Sequence, residues 1–252
     1  MFNFLKKNKS EKIELTKIPQ HIAFICDGNR RWAEQRGLPP LMGHRAGISN
    51  FENLVDWFIG HGVSTISFYL FSTENWNRTK DEVNFLMDLF YTELNKNMAH
   101  AMKKNLRYLV VGSRDRLPKK LANLCDKLEQ VSAENTGGTV VFALNYGGQD
   151  EIVRAVNMAI ENGKPVDKDS FETFMDTGEV LPVDLMVRTS NENRISNFLL
   201  WKLAYAELLF IPEHWPDLVK SEKLWMRVLQ EYQKRDRRFG GGKKKNYLGK
   251  TK

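Results

Sequence analysis

The sequence predicts an α/β fold: a single domain with a central, mostly parallel six-stranded sheet flanked by helices. Three observations point there. Six short apolar runs, rich in branched and aromatic residues, have the character of strands buried on both faces. Segments of helical periodicity separate most of them, which requires crossover connections and therefore parallel neighbours. The length, 252 residues, suits one such domain and does not require a second.

The first run, HIAFIC at 21–26, ends at Asp27. A short helix is expected at 29–35 and a longer one at 46–59, where Phe51, Leu54, Val55 and Phe58 share a face and Gly60 and Gly62 stop it. STISFYLFS at 64–72 is the second strand, and a polar loop leads from it to a long amphipathic helix at 80–104. RYLVVG at 107–112, a helix at 118–133, TVVFAL at 139–144 and a helix at 150–161 continue the alternation. DLMVRT at 184–189 precedes a polar loop and an apolar stretch read as helix; ELLFI at 207–211 is the sixth strand and 222–235 the last long helix. There is no internal repeat.

Hydrophobic residues make up 42% and charged residues 27%, the makeup of a folded globular chain. The longest apolar-looking run, 198–210, spans 13 residues and is interrupted by Lys202 and Glu207, too short and polar to cross a bilayer. MFNFLKKNKS at the start lacks the apolar core and cleavage site of a secretory signal, so a cytoplasmic location is expected. Cys26 and Cys125 are the only cysteines, which gives neither a disulfide framework nor a metal-binding spacing, and both are expected as buried thiols. The net charge of +7 sits at the ends: 1–19 carry five Lys against two Glu, and 233–252 nine Lys or Arg against one Asp, so the body between is mildly acidic. Residues 1–17 and 242–252 are therefore expected to be basic tails around a folded domain at 18–241. Such tails suit peripheral contact with anionic lipid, worth roughly 1 kcal/mol per basic residue. The acidic body and the lack of a recognition motif argue against a nucleic-acid partner.

Parallel sheets of this kind bind ligands beyond the carboxyl ends of their strands. After the first strand comes Asp27-Gly28-Asn29-Arg30-Arg31-Trp32. Helix N-terminal amides, a permissive glycine and two forked cations suit a diphosphate. A carboxylate beside a polyanion is repulsive unless a cation lies between them, and Mg2+ commonly bridges carboxylates and substrate phosphates, so Asp27 reads as a magnesium ligand. For this hexapeptide alone the competing reading is an Asp-Gly turn with solvated arginines. The second strand ends in Ser72-Thr73-Glu74-Asn75-Trp76-Asn77-Arg78, by itself an ordinary capped loop. The fifth ends in Arg188-Thr189-Ser190-Asn191-Glu192-Asn193-Arg194-Ile195-Ser196-Asn197, with the character of a second anion pocket. Glu207 lies near the start of the last strand, where a carboxylate in apolar surroundings is costly without a partner, of which a metal is one.

Taken in order, HIAFICDGNRRWAEQRG, GHRAG, FSTENWNR, NYGG, RTSNENRISNFLLWKLAYAELLF and RRFGG resemble the cis-prenyltransferase family, which includes undecaprenyl diphosphate synthase. The likeness spans about residues 18–241. It implies a transferase that extends an allylic diphosphate primer, typically farnesyl diphosphate, by repeated condensation with isopentenyl diphosphate, forming a Z double bond each time. The product would be a Z-polyprenyl diphosphate, precursor of a glycosyl carrier lipid. Mg2+, a hydrophobic tunnel and a homodimer are implied as well, with helical stripes from 48–59 and 83–94 as the apolar sleeve.

By the same resemblance, Asp27 coordinates Mg2+ and helps expel the allylic diphosphate, Gly28, Asn29, Arg30, Arg31 and His44 cradle that group, and Trp32 lines the site. Ser72, Thr73, Glu74 and Trp76 fall in a substrate-binding loop. Arg188, Arg194, Ile195 and Ser196 match the isopentenyl diphosphate pocket, with Arg78 nearby. Glu207 is a metal ligand, often contributed across the dimer interface. Arg238-Phe239-Gly240 matches a motif that closes over isopentenyl diphosphate. Asn75 is the family's candidate for assisting proton removal; an amide is a poor base at neutral pH, so positioning substrate or relaying a proton is the better expectation.

Four positions depart from the family pattern. Arg30 replaces a glycine common in bacterial members and adds charge. Pro40 stands where an arginine is often found, leaving Arg36 as a substitute. Asn191 replaces a common glycine and Lys202 a common glutamine. A rival reading, a non-catalytic partner subunit, is opposed by Asp27, Asn29, Arg31 and Glu207.

Overall fold

The computed structural model describes residues 14–235; Arg238 and Gly240 lie outside them. Six strands form one sheet in the order β3-β4-β2-β1-β5-β6: β1 (His21–Ile25), β2 (Thr65–Ser72), β3 (Arg107–Val111), β4 (Thr139–Tyr146), β5 (Leu185–Arg188) and β6 (Glu207–Phe210). Every pairing is parallel, so the sheet is parallel throughout. The chain first builds outward from β1 through β2, then returns to add β5 on the other side of β1. The crevice beyond β1 and β5 is therefore the point where strand order reverses, the place where such sheets bind ligands.

Two layers cover the sheet. On one face Phe24, Phe51, Phe68 and Phe142 pack ring against ring, with Phe51 and Phe68 centroids 4.4 Å apart, beneath α3 (Phe51–Gly60), α4 (Lys80–Lys104), α5 (Lys119–Ser132) and α9 (Glu222–Gln233). On the other face Tyr69, Tyr146, Phe198 and Leu203 form a smaller cluster. The remaining helices are α1 (Asn29–Glu34), α2 (Pro40–Ile48), α6 (Gly148–Asn162), α7 (Lys168–Glu172) and α8 (Trp215–Leu218).

Two expectations change. The helix expected at 46–59 is two helices, α2 ending at Ile48 and α3 starting at Phe51, because Asn50 leaves helical geometry and its amide donates to Val219 O at 2.9 Å. Gly43 and Gly47 let α2 close onto α1: a Cβ at Gly43 would lie 1.8 Å from Asn29 O. The stretch at 198–205, expected as helix, is a succession of turns. Ser196, Asn197 and Leu199 adopt left-handed φ of 49°, 63° and 39°, while Phe198 and Leu199 are buried. Asn197 there serves the start of α6, its carbonyl accepting from Gly148 N at 2.7 Å and its Oδ1 from Gln149 N at 2.9 Å.

Candidate active site

The carboxyl ends of β1, β2 and β5 open into a cavity of about 790 Å3. Its floor is a rigid knot. The Asp27 carbonyl accepts from Thr189 Oγ1 at 2.7 Å, Ser190 Oγ at 3.0 Å and Trp215 N at 3.0 Å, which ties the ends of β1 and β5 to the start of α8. Gly28 follows with φ 92°, and a Cβ there would lie 1.7 Å from Ser190 Oγ and 2.5 Å from His214 Nδ1, so both conformation and space require glycine.

Above the knot sits one carboxylate among several cations. Asp27 Oδ2 accepts from Arg188 Nη2 at 2.8 Å, and Oδ1 from the Gly28 amide at 2.7 Å and Arg31 Nη2 at 3.4 Å. Burial alone would raise the Asp27 pKa, but the hydrogen bond and charge of Arg188, the Gly28 amide and Arg31 hold it below the usual carboxylate value. Arg188 is 4% exposed; its Nη1 donates to Arg194 O at 2.5 Å and Ser196 Oγ at 2.7 Å, and its Nε is buried without a partner among the described residues. Glu192, not expected at the site, pairs with Arg31 at 2.9 Å and also with Arg194, taking one cation from each side.

The end of β2 closes the third wall. Thr73–Asn77 is a 3-10 turn. The turn is fixed by Ser72 N donating to Asn75 Oδ1 at 3.1 Å, Asn197 Nδ2 to Glu74 Oε1 at 3.1 Å and Trp76 Nε1 to Asn145 Oδ1 at 2.7 Å. His44 stands 3.6 Å from Glu82, which also pairs with Arg78 at 3.0 Å. Burial, then the nearby charge of Arg78, pushes the His44 pKa down to about 4, so the ring is neutral at pH 7.

Of the expected site residues, Asp27, Gly28, Asn29, Arg30, Arg31, His44, Ser72, Glu74, Asn75, Arg78, Arg188, Arg194 and Ser196 line this one cavity. Thr73, Trp76 and Ile195 do not line it: Trp76 packs edge-on against Phe71 at 5.0 Å and Ile195 against the smaller apolar cluster. Trp32, expected at the site wall, is instead turned outward: its indole donates to Asp217 at 2.7 Å and Arg36 stacks on it at 4.2 Å. Glu207 is aligned with Leu185 and Ile22 at the amino end of the sheet, where it pairs with Arg235 at 3.1 Å. It does not meet Asp27 within one chain.

Ile48, Phe51, Leu86, Leu89 and Phe90 make the inner wall apolar. A second cleft of about 720 Å3 shares Ile48, Phe51 and Leu89 with the first, so the two lie on either side of these residues, beside α2, α3 and α4. Among the described residues no three His, Cys, Asp or Glu side chains converge on a metal position. A divalent cation fits here as Mg2+ commonly binds, through one protein carboxylate, Asp27, together with the phosphate oxygens of a substrate.

Glu82, Tyr69 and Trp215 also belong to the lining and were not anticipated. Only Glu82 left a trace in the sequence, four residues after Arg78 in a position to pair with it.

The comparisons with known proteins agree with this geometry. Residues 25–240 match the family model described as "Putative undecaprenyl diphosphate synthase". An isoprenyl transferase of Thermotoga maritima is 40% identical over 230 residues, covering 89% of this chain and 98% of the relative. A ditrans,polycis-undecaprenyl-diphosphate synthase of Micrococcus luteus, specific for (2E,6E)-farnesyl diphosphate, is 38% identical over 250 residues, covering 96% and 100%. Among solved structures, lavandulyl diphosphate synthase from Lavandula x intermedia, in complex with dimethylallyl diphosphate, superposes with a TM-score of 0.83 at 31% identity over 88% of this chain and 98% of that one. With one carboxylate set among arginines at the sheet's switch point and relatives of this kind along nearly its whole length, the chain belongs to the undecaprenyl diphosphate synthase family and is an isoprenyl transferase.

Proposed function

We propose that this enzyme extends an allylic diphosphate, farnesyl diphosphate in the first instance, by Mg2+-dependent cis condensation with isopentenyl diphosphate, and that the product is a Z-polyprenyl diphosphate serving as precursor of a glycosyl carrier lipid. The observation that carries this reading is the pairing of Asp27 with Arg31 on one side and Arg188 on the other, above an apolar cavity. Two cation sets sharing one carboxylate match two diphosphates side by side.

In each round the allylic carbon–oxygen bond breaks, a carbon–carbon bond forms to isopentenyl diphosphate, and one proton leaves the new chain as diphosphate departs. Charge separates in the first event, so fixed cations facing the leaving group are the main catalytic requirement. Arg30, Arg31 and the α1 amides meet the primer's diphosphate, while Arg188, Arg194 and Ser196 hold that of isopentenyl diphosphate. When bound through Asp27, Mg2+ supplies further positive charge at the leaving group. Neutral His44 donates a hydrogen bond without adding charge. The growing tail lies along the apolar inner wall of Ile48, Phe51, Leu86, Leu89 and Phe90.

A homodimer belongs to the same reading. Val153, Val156 and Ile160 form an exposed apolar stripe on α6, 59%, 41% and 70% accessible, which a second copy would cover, and Glu207 then serves the partner's site across the interface. The basic ends, 1–17 and 242–252, supply peripheral membrane contact.

The test is direct. Purified protein with Mg2+, labelled isopentenyl diphosphate and allylic primers of increasing length is expected to make discrete products, most from farnesyl diphosphate, and none after chelation with EDTA. No incorporation with any primer would refute the proposal. Incorporation only after a second protein is added would favour the partner-subunit reading.

A further inference from the structure

We infer that the free edge of β3 is closed to strand addition, so that a second copy of this chain cannot join the sheet there, and that Glu129 and Asp176 are the residues that keep it closed. β3 is an outer strand of the sheet, paired on one side by β4. Such a strand ordinarily presents a row of free amide and carbonyl groups, a ready template for another chain. Along a strand the amides point alternately to its two sides. Arg107 N donates toward β4, to Gly138 O at 2.8 Å, so the amides of Leu106, Tyr108, Val110 and Gly112 point outward.

Each of these four already has an acceptor. Leu106 N donates to Ala101 O at 2.9 Å, Tyr108 N to Ser132 Oγ at 3.0 Å, Val110 N to Glu129 Oε1 at 2.8 Å and Gly112 N to Asp176 Oδ2 at 2.9 Å. Two outward carbonyls are taken as well, Leu106 O by Asn135 Nδ2 at 2.8 Å and Gly112 O by Arg114 Nη1 at 3.1 Å. The acceptors come from separate parts of the chain, Glu129 and Ser132 from α5 and Asp176 from the segment after α7. Arginines hold both carboxylates in place: Arg114 Nη2 meets Glu129 at 2.9 Å, and Arg154 meets the two oxygens of Asp176 at 2.8 and 2.6 Å. A strand arriving at this edge would have to displace charge-assisted hydrogen bonds and leave two carboxylates without their amides, which costs more than neutral ladder bonds return. Glu129 and Asp176 do not line the active-site cavity, so this role lies beyond the function proposed above and does not depend on it. Whatever surface joins two copies, it is not β3.

Two measurements on the full chain test the inference, and neither needs turnover. In wild type, amide hydrogen exchange at Tyr108, Val110 and Gly112 should be about as slow as at Leu109 and Val111, whose amides face β4. Exchange about 100-fold faster or more at the outward amides, as at an open edge, would overturn the inference. In Glu129→Ala/Asp176→Ala, exchange at Val110 and Gly112 should rise about tenfold or more, and sedimentation velocity should show a concentration-dependent species larger than any that wild type forms. Adding Leu109→Lys, a cation of the kind that natural edges set against pairing, should return the sedimentation to that of wild type. A folded double variant that sediments like wild type, or association that survives Leu109→Lys, would overturn the inference by placing the control of assembly elsewhere. Should the double variant fail to fold, the exchange pattern of the wild type decides alone.

Discussion

The two ends of the sheet are both polar, yet only one of them opens into the cavity. At the amino end His21 is fully buried with each ring nitrogen occupied, by Leu181 O and Ser67 Oγ at 2.7 Å each; Asp184 accepts from Gln20 N at 2.7 Å; and Glu207 pairs with Arg235. Each group there ends its interactions inside the protein. At the carboxyl end Asp27, Arg31, Arg188 and Arg194 are also paired, but around a cavity, and the Arg188 Nε has no partner among the described residues. Polarity beneath a sheet is thus no sign of function; polar groups that converge on open space are.

The contrast breaks most easily at Asp27. Asp27→Asn keeps an acceptor for the Gly28 amide but removes the charge, and turnover should fall on the order of 10²–10³-fold or more, read from initial rates at saturating substrate. A variant with half the wild-type rate would remove the carboxylate from the chemistry. Gly28→Ala comes next. Strain at φ 92° and the clash with Ser190 should destabilise the fold by at least about 2 kcal/mol in urea titrations. Adding Ser190→Gly should restore part of that loss, and strictly additive penalties would mean that the two positions do not touch.

Arg194→Ala should raise the half-saturating concentration of isopentenyl diphosphate about 10- to 100-fold, the worth of one charge-assisted contact. An effect on the primer alone would reverse the assignment of the pockets. The smallest effect belongs to the amino end. Burial holds the His21 pKa down at about 4, against 6.5 unperturbed. The unfolded chain therefore binds more protons between those values, and stability falls as pH drops through that window. His44, lowered likewise, adds to the loss. His21→Gln should make the decline between pH 7.5 and 5.5 shallower by about 1 kcal/mol in denaturant titrations, while turnover at pH 7.5 holds.

How far these features could be read from the sequence follows their physics. Asp27, Arg31, Arg188 and Arg194 could be proposed because they follow strand ends. The six strands were legible because apolar runs bounded by polar loops leave a local pattern, while their order in the sheet was not. Helix breaks were not: Ser49 and Asn50 give no strong stop signal, and 198–205 has the same apolar composition whether it coils or turns, its turns being imposed by the buried Phe198 and by what Asn197 supplies to α6. The direction a side chain takes was also hidden. Trp32 lies in the motif but points to Asp217, and the Asp27–Arg188 pair joins residues 161 apart.

The knot under Asp27 sets a condition on every catalytic round. Since β1, β5 and α8 meet on a single carbonyl, the arginines that follow β1 and those that end and follow β5 are tied at a set spacing, and on the function proposed above these are the two diphosphate pockets. On that reading the primer's diphosphate leaves and the new chain keeps that of isopentenyl diphosphate, so between rounds the product's own head group has to cross from the Arg188 side to the Arg31 side, drawing its hydrocarbon along by one unit.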